Sequence, residues 1–178
     1  PEGACILKAS GVKRFNHNLE TSERYFPELC TTHSYADRVA TIKAGKEAGL
    51  EVCSGGIFGV GELPEDRLEL AFTLKELEVD TIPLNFLHPI PGTPLETSSP
   101  LSPIEILKII ALFRFILPRK EIKVAGGRQR NLRDLQSWVF YAGASSIIVG
   151  NYLTTKGRAV EEDLQMIIDL GLRPRDSL

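Results

Sequence analysis

Residues 51–90 read EVCSGGIFGVGELPEDRLELAFTLKELEVDTIPLNFLHPI, and they contain one complete strand–helix–strand unit. The unit opens on a short strand, EVC, that turns into glycine at Gly55 and Gly56. Pro64 then stands in the first turn of a helix, with Glu65 and Asp66 behind it. Proline lacks the N–H that would be orphaned there, and acids suit the positive end of the helix dipole. TIPLNFLHPI is the second strand, closed by Pro89 and Pro91.

The same rhythm continues on both sides. Upstream, VKRFNHNL (from Val12) reads as a strand ending in polar residues, followed by a helix from about Tyr35 to Ala48 that stops at Gly49. Downstream, Ser102-Pro103-Ile104-Glu105 is a capping-box signature ahead of a densely apolar helix running to Leu117. EIKVAGGR is a strand, NLRDLQSWVFYAG a helix ended by Gly143, SSIIVGNYL a strand, and a last helix runs from about Val160 to Leu170. Strands alternating with helices of this length predict an α/β fold with a parallel sheet. Right-handed crossovers leave two closures: an open doubly wound sheet, or a (βα)8 barrel of typically ~250 residues, of which five units are somewhat more than half.

The chain of 178 residues fits one domain, without an internal linker or repeat, so 1–178 reads as one unit. A net charge of −2 disfavours a nucleic-acid or anionic-membrane partner. No run approaches the ~18 apolar residues of a membrane span. Three cysteines, Cys5, Cys30 and Cys53, do not make a disulfide framework, and a reducing, cytoplasmic setting is the expectation. The first residue is Pro1 and the one methionine is Met166, which suggests a piece of a longer protein.

Function in either closure collects at the carboxyl ends of the strands. Those ends carry Asn16-His17-Asn18-Leu19-Glu20-Thr21, Cys53-Ser54-Gly55-Gly56, Asn85 with His88, Gly126-Gly127-Arg128 and Gly150-Asn151. Singly, each has an ordinary reading: Asn16 or Asn18 as a turn or cap, Cys53 as a small core residue, Arg128 as a solvated charge or carboxylate clamp. Together they form a polar rim on apolar strands. His17, His33 and His88 lack metal-ligand spacing. Cys5 reads as packing in the first helix, and Cys30 as a loop thiol without a partner. Gly55-x-Ile57-x-Gly59-x-x-Glu62 is a glycine-rich strand-to-helix loop whose following N–H groups suit an anion, but it is not the dinucleotide pattern G-x-G-x-x-G.

The runs FNHNLETS, TTHSYADRV, VCSGGIFGVGE, IPLNFLHPIPGTPLE, VAGGRQRNL and VGNYLTT resemble the biotin synthase family of radical S-adenosylmethionine (SAM) enzymes. The resemblance runs from about Val12 to Leu172. It implies a (βα)8 barrel of which this chain supplies the last five units, including the biotin and thiamin synthesis-associated region. It implies a sulfurtransferase that converts dethiobiotin to biotin. A 4Fe–4S cluster cleaves SAM to methionine and a 5′-deoxyadenosyl radical, and a 2Fe–2S cluster donates sulfur. An electron donor of flavodoxin or ferredoxin type and a homodimer come with it.

By the same resemblance, Cys53 and Arg128 are ligands of the 2Fe–2S cluster, although a protonated guanidinium offers no lone pair. Asn18, Glu20, Arg38, Gly55, Ile57, Gly59 and His88 contact SAM; Asn16, Asn18 and Asn85 contact dethiobiotin. Glu20 stands where the family has Asp or Asn. The C-x3-C-x2-C motif of the 4Fe–4S cluster is absent, and neither Cys5 nor Cys30 stands at the remaining 2Fe–2S positions. No turnover is expected from this chain alone. Two other readings stay open: a radical SAM barrel enzyme of hydrogenase-maturation or methylornithine-synthase type, and a non-catalytic doubly wound module binding phosphate at Gly55 to Gly61.

Overall fold

The computed structural model describes residues 2–152 and 155–174. Its elements in chain order are α1 (Glu2–Ala9), β1 (Arg14–Asn16), α2 (Phe26–Leu29), α3 (Tyr35–Glu47), β2 (Glu51–Cys53), β3 (Gly56–Phe58), α4 (Pro64–Glu76), β4 (Thr81–Phe86), α5 (Pro103–Ile116), β5 (Glu121–Val124), α6 (Arg128–Leu132), a 3-10 turn (Arg133–Leu135), α7 (Trp138–Tyr141), β6 (Ser146–Ile147) and α8 (Val160–Asp169). The six strands run parallel in the order β1-β2-β4-β5-β6, with β3 also against β4. Sequential strands with helical crossovers are the arc of a βα barrel, as expected.

Alternation along the strands assigns two faces. Val52, Ile82, Leu84, Phe86, Ile122 and Val124 are buried in one cluster with Leu70, Leu74, Ile106, Ile110 and Phe113 of α4 and α5. The core therefore lies between the sheet and its helices. The opposite face carries Asn16, Cys53, Thr81, Asn85, Glu121, Lys123 and Ser146, which is polar. Glu121 is its hub: it accepts hydrogen bonds from Thr81 Oγ1 (3.2 Å) and Ser146 Oγ (3.1 Å), with Lys123 Nζ at 3.7 Å and Arg14 Nη1 at 4.0 Å.

Four elements differ from the expectation. The strand from Val12 narrows to Arg14–Asn16, because the chain then bends around the Gly55 carbonyl, which accepts from Leu19 and Glu20 N–H. Gly56–Phe58 is a strand rather than a loop, paired with Leu84–Phe86. The helix predicted over 131–143 is broken into α6, the 3-10 turn and α7. Arg133, at φ 51°, stands at the break. The strand predicted over 145–153 is reduced to Ser146–Ile147; Leu153 and Thr154 of VGNYLTT, like Pro1, lie outside the described residues. Cys5 is exposed on α1, which buries none of its residues, so it does not pack.

The caps also refine the expectation. Ser102 Oγ accepts from Glu105 N (3.2 Å), but the Glu105 carboxylate does not return to Ser102; it pairs with Arg67 at 3.0 Å. The reciprocal capping box is at α3 instead, between Ser34 and Asp37.

Candidate functional site

The strand ends gather five of the eleven predicted site residues around one cavity of about 330 Å³. Asn18, Glu20, Ile57, Asn85 and His88 line it, together with Leu87, Gly126, Gly127, Tyr152 and Thr155. Larger depressions near α7 and α8 hold none of the predicted residues.

The two amides are aimed by backbone. Asn18 Oδ1 accepts from Gly55 N at 3.2 Å. Asn85 bridges two strand ends: its Nδ2 donates to Gly56 O (3.2 Å) and its Oδ1 accepts from Gly126 N (3.0 Å). This close threading explains Gly55, since a Cβ there would lie 1.9 Å from the Pro83 carbonyl oxygen. Gly55 and Gly59 thus shape the wall without lining it; Gly59 faces Leu101 and Leu87.

Glu20 enters the cavity with φ at 72°, a left-handed conformation that a non-glycine residue rarely holds. Burial pushes its carboxyl above the ordinary value, opposed by Arg38 at 3.8 Å and a bond with Asn18. The Arg38 guanidinium is held by the protein itself: Nη1 donates to Asn18 O (2.7 Å) and Nε to His33 Nε2 (2.9 Å). It stands behind Asn18 and Glu20 rather than among the cavity-lining groups. His33 Nδ1 faces Thr32 Oγ1 (3.0 Å) and Cys30 Sγ (3.4 Å), so Cys30 does have polar neighbours.

Asn16 and Cys53 meet on the polar inner face of the sheet, where Asn16 Nδ2 donates to Cys53 Sγ at 3.3 Å. Arg128 is not brought there. Its guanidinium is 1 % exposed and is bound to Asp163 Oδ2 (2.5 Å), Gln136 Oε1 (2.6 Å) and Ile148 O (3.4 Å). Those are its neighbours in place of Cys53, and the expected ligand role for Arg128 is corrected accordingly. Among the described residues, the cations on the Cys53 face are Arg14, paired with Glu51 at 3.0 Å, and Lys123, 3.7 Å from Glu121.

The expected phosphate cradle is also corrected. Glu62, the last residue of the Gly55–Glu62 run, turns back into the loop. Its carboxylate accepts from Gly59 N (3.0 Å), Val60 N (2.9 Å) and Arg67 Nε (2.9 Å). Asp66 Oδ2 takes the Leu63 N–H at 2.7 Å. The donors an anion needs are already satisfied by carboxylates of the chain itself.

These arrangements test which groups the chain can hold. The cavity, with one carboxylate, two amides and an apolar Ile57 wall, suits a polar small molecule with a cationic part. Among the described residues, no three His, Cys, Asp or Glu side chains come together as a metal-ligand set. No described helix is long and apolar enough to cross a membrane. Gly126 already stood in the strand-end rim read from the sequence, whereas Tyr152 and Thr155 were given no role; both lie in the run VGNYLTT, which was the signal for them.

Comparison with known proteins agrees with this picture. Residues 83–173, just over half the chain, match the Biotin and Thiamin Synthesis associated domain, and residues 1–74 match the Radical SAM superfamily. Biotin synthase of Geobacter sulfurreducens is 58% identical over 174 residues, covering 98% of this chain and 53% of the relative. Biotin synthase of Geotalea uraniireducens is 58% identical over 171 residues, 96% of this chain and 52% of its own length. The chain thus spans about half the length of the curated relatives it matches. Among solved structures, a methylornithine synthase superposes with a TM-score of 0.81 at 22% identity, over 98% of this chain and 56% of that one. The FeFe-hydrogenase maturase HydG from Carboxydothermus hydrogenoformans gives 0.80 at 20% identity, over 99% and 46%. These two share the fold. The barrel arc, the strand-end cavity and the matched segments lead to one conclusion: the chain belongs to the Biotin and Thiamin Synthesis associated domain family.

Proposed function

We propose that the natural protein carrying this chain is a biotin synthase, a sulfurtransferase that converts dethiobiotin to biotin with SAM and iron–sulfur clusters of 4Fe–4S and 2Fe–2S type. The observation that carries this reading is the polar set at the strand ends: the Asn16–Cys53 pair on the inner face of β1 and β2, and the cavity that Asn18, Glu20 and Asn85 line. The 58% identity to biotin synthases supports it. Asn18 and Asn85 offer the amide donors and acceptors that a ureido ring pairs with. Glu20 places a negative charge where the positive end of SAM needs one, and Ile57 gives adenosine an apolar wall. Arg38 fixes Asn18 and Glu20, and Cys53 supplies one thiolate toward a 2Fe–2S cluster.

The bound groups supply hydrogen abstraction by a 5′-deoxyadenosyl radical and a sulfur atom; the chain's own part is binding, orientation and exclusion of water. Without C-x3-C-x2-C in its sequence, the chain alone is inactive. A flavodoxin- or ferredoxin-type donor, a homodimer and a cytoplasmic location belong to the same proposal.

The test is reconstitution of the natural protein under reducing conditions with dethiobiotin and SAM. Mass spectrometry should detect biotin, methionine and 5′-deoxyadenosine. Changing Cys53→Ala should remove the 2Fe–2S absorption and spare the 4Fe–4S cluster. A second cluster that forms normally in that variant removes Cys53 from the ligand set, and absence of biotin from the intact protein overturns the reading.

A further inference from the structure

We propose that Arg128 and Asp163 form a positioning pair that fixes one wall of the cavity. Arg128 directly follows the Gly126-Gly127 turn, and this turn has no slack. Gly126 N is bound to Asn85 Oδ1 at 3.0 Å. Gly127 sits at φ 76°, where a Cβ would lie 1.8 Å from the Phe86 carbonyl oxygen. From this anchored point one guanidinium reaches both ends of a loop: Ile148 O (3.4 Å) at its start and Asp163 Oδ2 (2.5 Å) at its end. Tyr152 and Thr155, which line the cavity beside Gly126 and Gly127, lie between those ends. Asp163 is in the first turn of α8 and also has Arg158 Nη1 at 3.7 Å.

The pair is costly for its stability. Arg128 and Asp163 are 1 % and 0 % exposed, and Arg128 Nε and Asp163 Oδ1 find no hydrogen-bond partner among the described residues. A buried ion pair of this kind is often replaced by apolar groups without loss of stability. What apolar groups lack is direction. The fork of Arg128 sets where Tyr152 and Thr155 lie relative to Asn85, which makes Arg128 a positioning residue acting through those two side chains. Its meaning for substrate rests on the proposed biotin synthase reading.

Three variants test the pair: Arg128→Lys, Asp163→Asn, and the apolar double Arg128→Met/Asp163→Leu. On the chain itself, tryptic cleavage after Lys156 and Arg158 reports the loop, and thermal melting reports the fold. In the natural protein, KM for dethiobiotin is separated from kcat, and the cluster absorption is recorded. The expected result is a double variant that melts close to the unchanged protein yet is cut about tenfold faster. Its KM is raised about tenfold, with kcat and cluster absorption little changed. If the double variant melts far lower, Arg128→Lys and Asp163→Asn carry the same comparison. Unchanged cleavage and KM in the variants would make the pair merely structural and overturn the proposal. An altered cluster absorption in Arg128→Lys with unchanged cleavage would overturn it too, by making Arg128 a ligand. If the natural protein does not use dethiobiotin at all, the biotin synthase reading fails, and the cleavage rates still decide the pair.

Discussion

Glu20 concentrates two costs at one position. Its backbone is left-handed at φ 72°, and its carboxyl is held above the ordinary value of 4.5 by burial, only partly offset by Arg38 and Asn18. Strain and desolvation of this kind gather at functional sites. The proton linkage has a definite sign. A carboxyl whose folded pKa is raised adds stability below its unfolded pKa and loses that contribution as pH rises through the folded value. At neutral pH the ionised Glu20 is therefore a burden on the fold. Glu20→Gln should melt a few degrees higher than the unchanged chain at pH 7.5 and nearly alike at pH 4, while binding SAM more weakly. Paired melts at the two pH values check this; a Gln variant that melts lower at pH 7.5 sinks the argument. Asn16, Asn18, Glu20 and Asn85 were legible in the sequence because each is a polar residue where an apolar strand ends. Arg128 was not, because its partner Asp163 lies 35 residues away and no local pattern links them.

The loop between β3 and α4 is held from within. Glu62 satisfies two loop amides and receives Arg67, which also reaches Glu105 on α5. One buried carboxylate thus joins a strand end to two helices. Glu62→Gln removes the charge and leaves the Arg67 guanidinium, itself 8 % exposed, with only Glu105. Breaking one side of a buried pair costs roughly 3 kcal/mol. Chemical denaturation of the chain should show a loss of about 2–4 kcal/mol; a loss under about 0.5 kcal/mol would assign the loop's order to its glycines instead. Arg114 plays the same role at the other end of the barrel arc. Its guanidinium donates to the carbonyls of Gly143, Leu117, Pro118 and Lys120 and to Ser145 Oγ, tying α5 to the entries of β5 and β6. Lysine has three donors on one nitrogen and cannot reach this spread, so Arg114→Lys should lower stability by about 2 kcal/mol in the same denaturation experiment. Elements were readable wherever caps and breakers were local, as at Pro64, Ser102 and Gly49. They were misread where tertiary contacts override local preference, as in the broken 128–141 segment and in β3, which glycine pattern alone presents as a loop.

The whole chain divides its two faces in a way that bears on what it can do alone. The apolar core lies between the sheet and α4 and α5, and Val52, Ile82, Leu84, Ile122 and Val124 are 0 % exposed within this chain. The inner face is polar, knitted by Glu121 across β4, β5 and β6, so it can stand in water without a large apolar patch. The cavity is built from strand ends and loops that are all present: Asn18 and Glu20 after β1, Ile57 in β3, Asn85 in β4 and Gly126 after β5. Radical formation in the proposed reaction is different, because it would need a cluster whose thiolates converge, and the described residues bring no such group together. Binding and chemistry should separate on this basis. Titration calorimetry on the isolated chain should detect SAM binding that Glu20→Gln weakens. Incubation with SAM and dithionite should yield no 5′-deoxyadenosine by mass spectrometry. Production of 5′-deoxyadenosine by the chain would mean that it assembles a cluster from groups not identified in the described residues. Loss of SAM binding altogether would mean that the cavity needs a wall this chain does not supply.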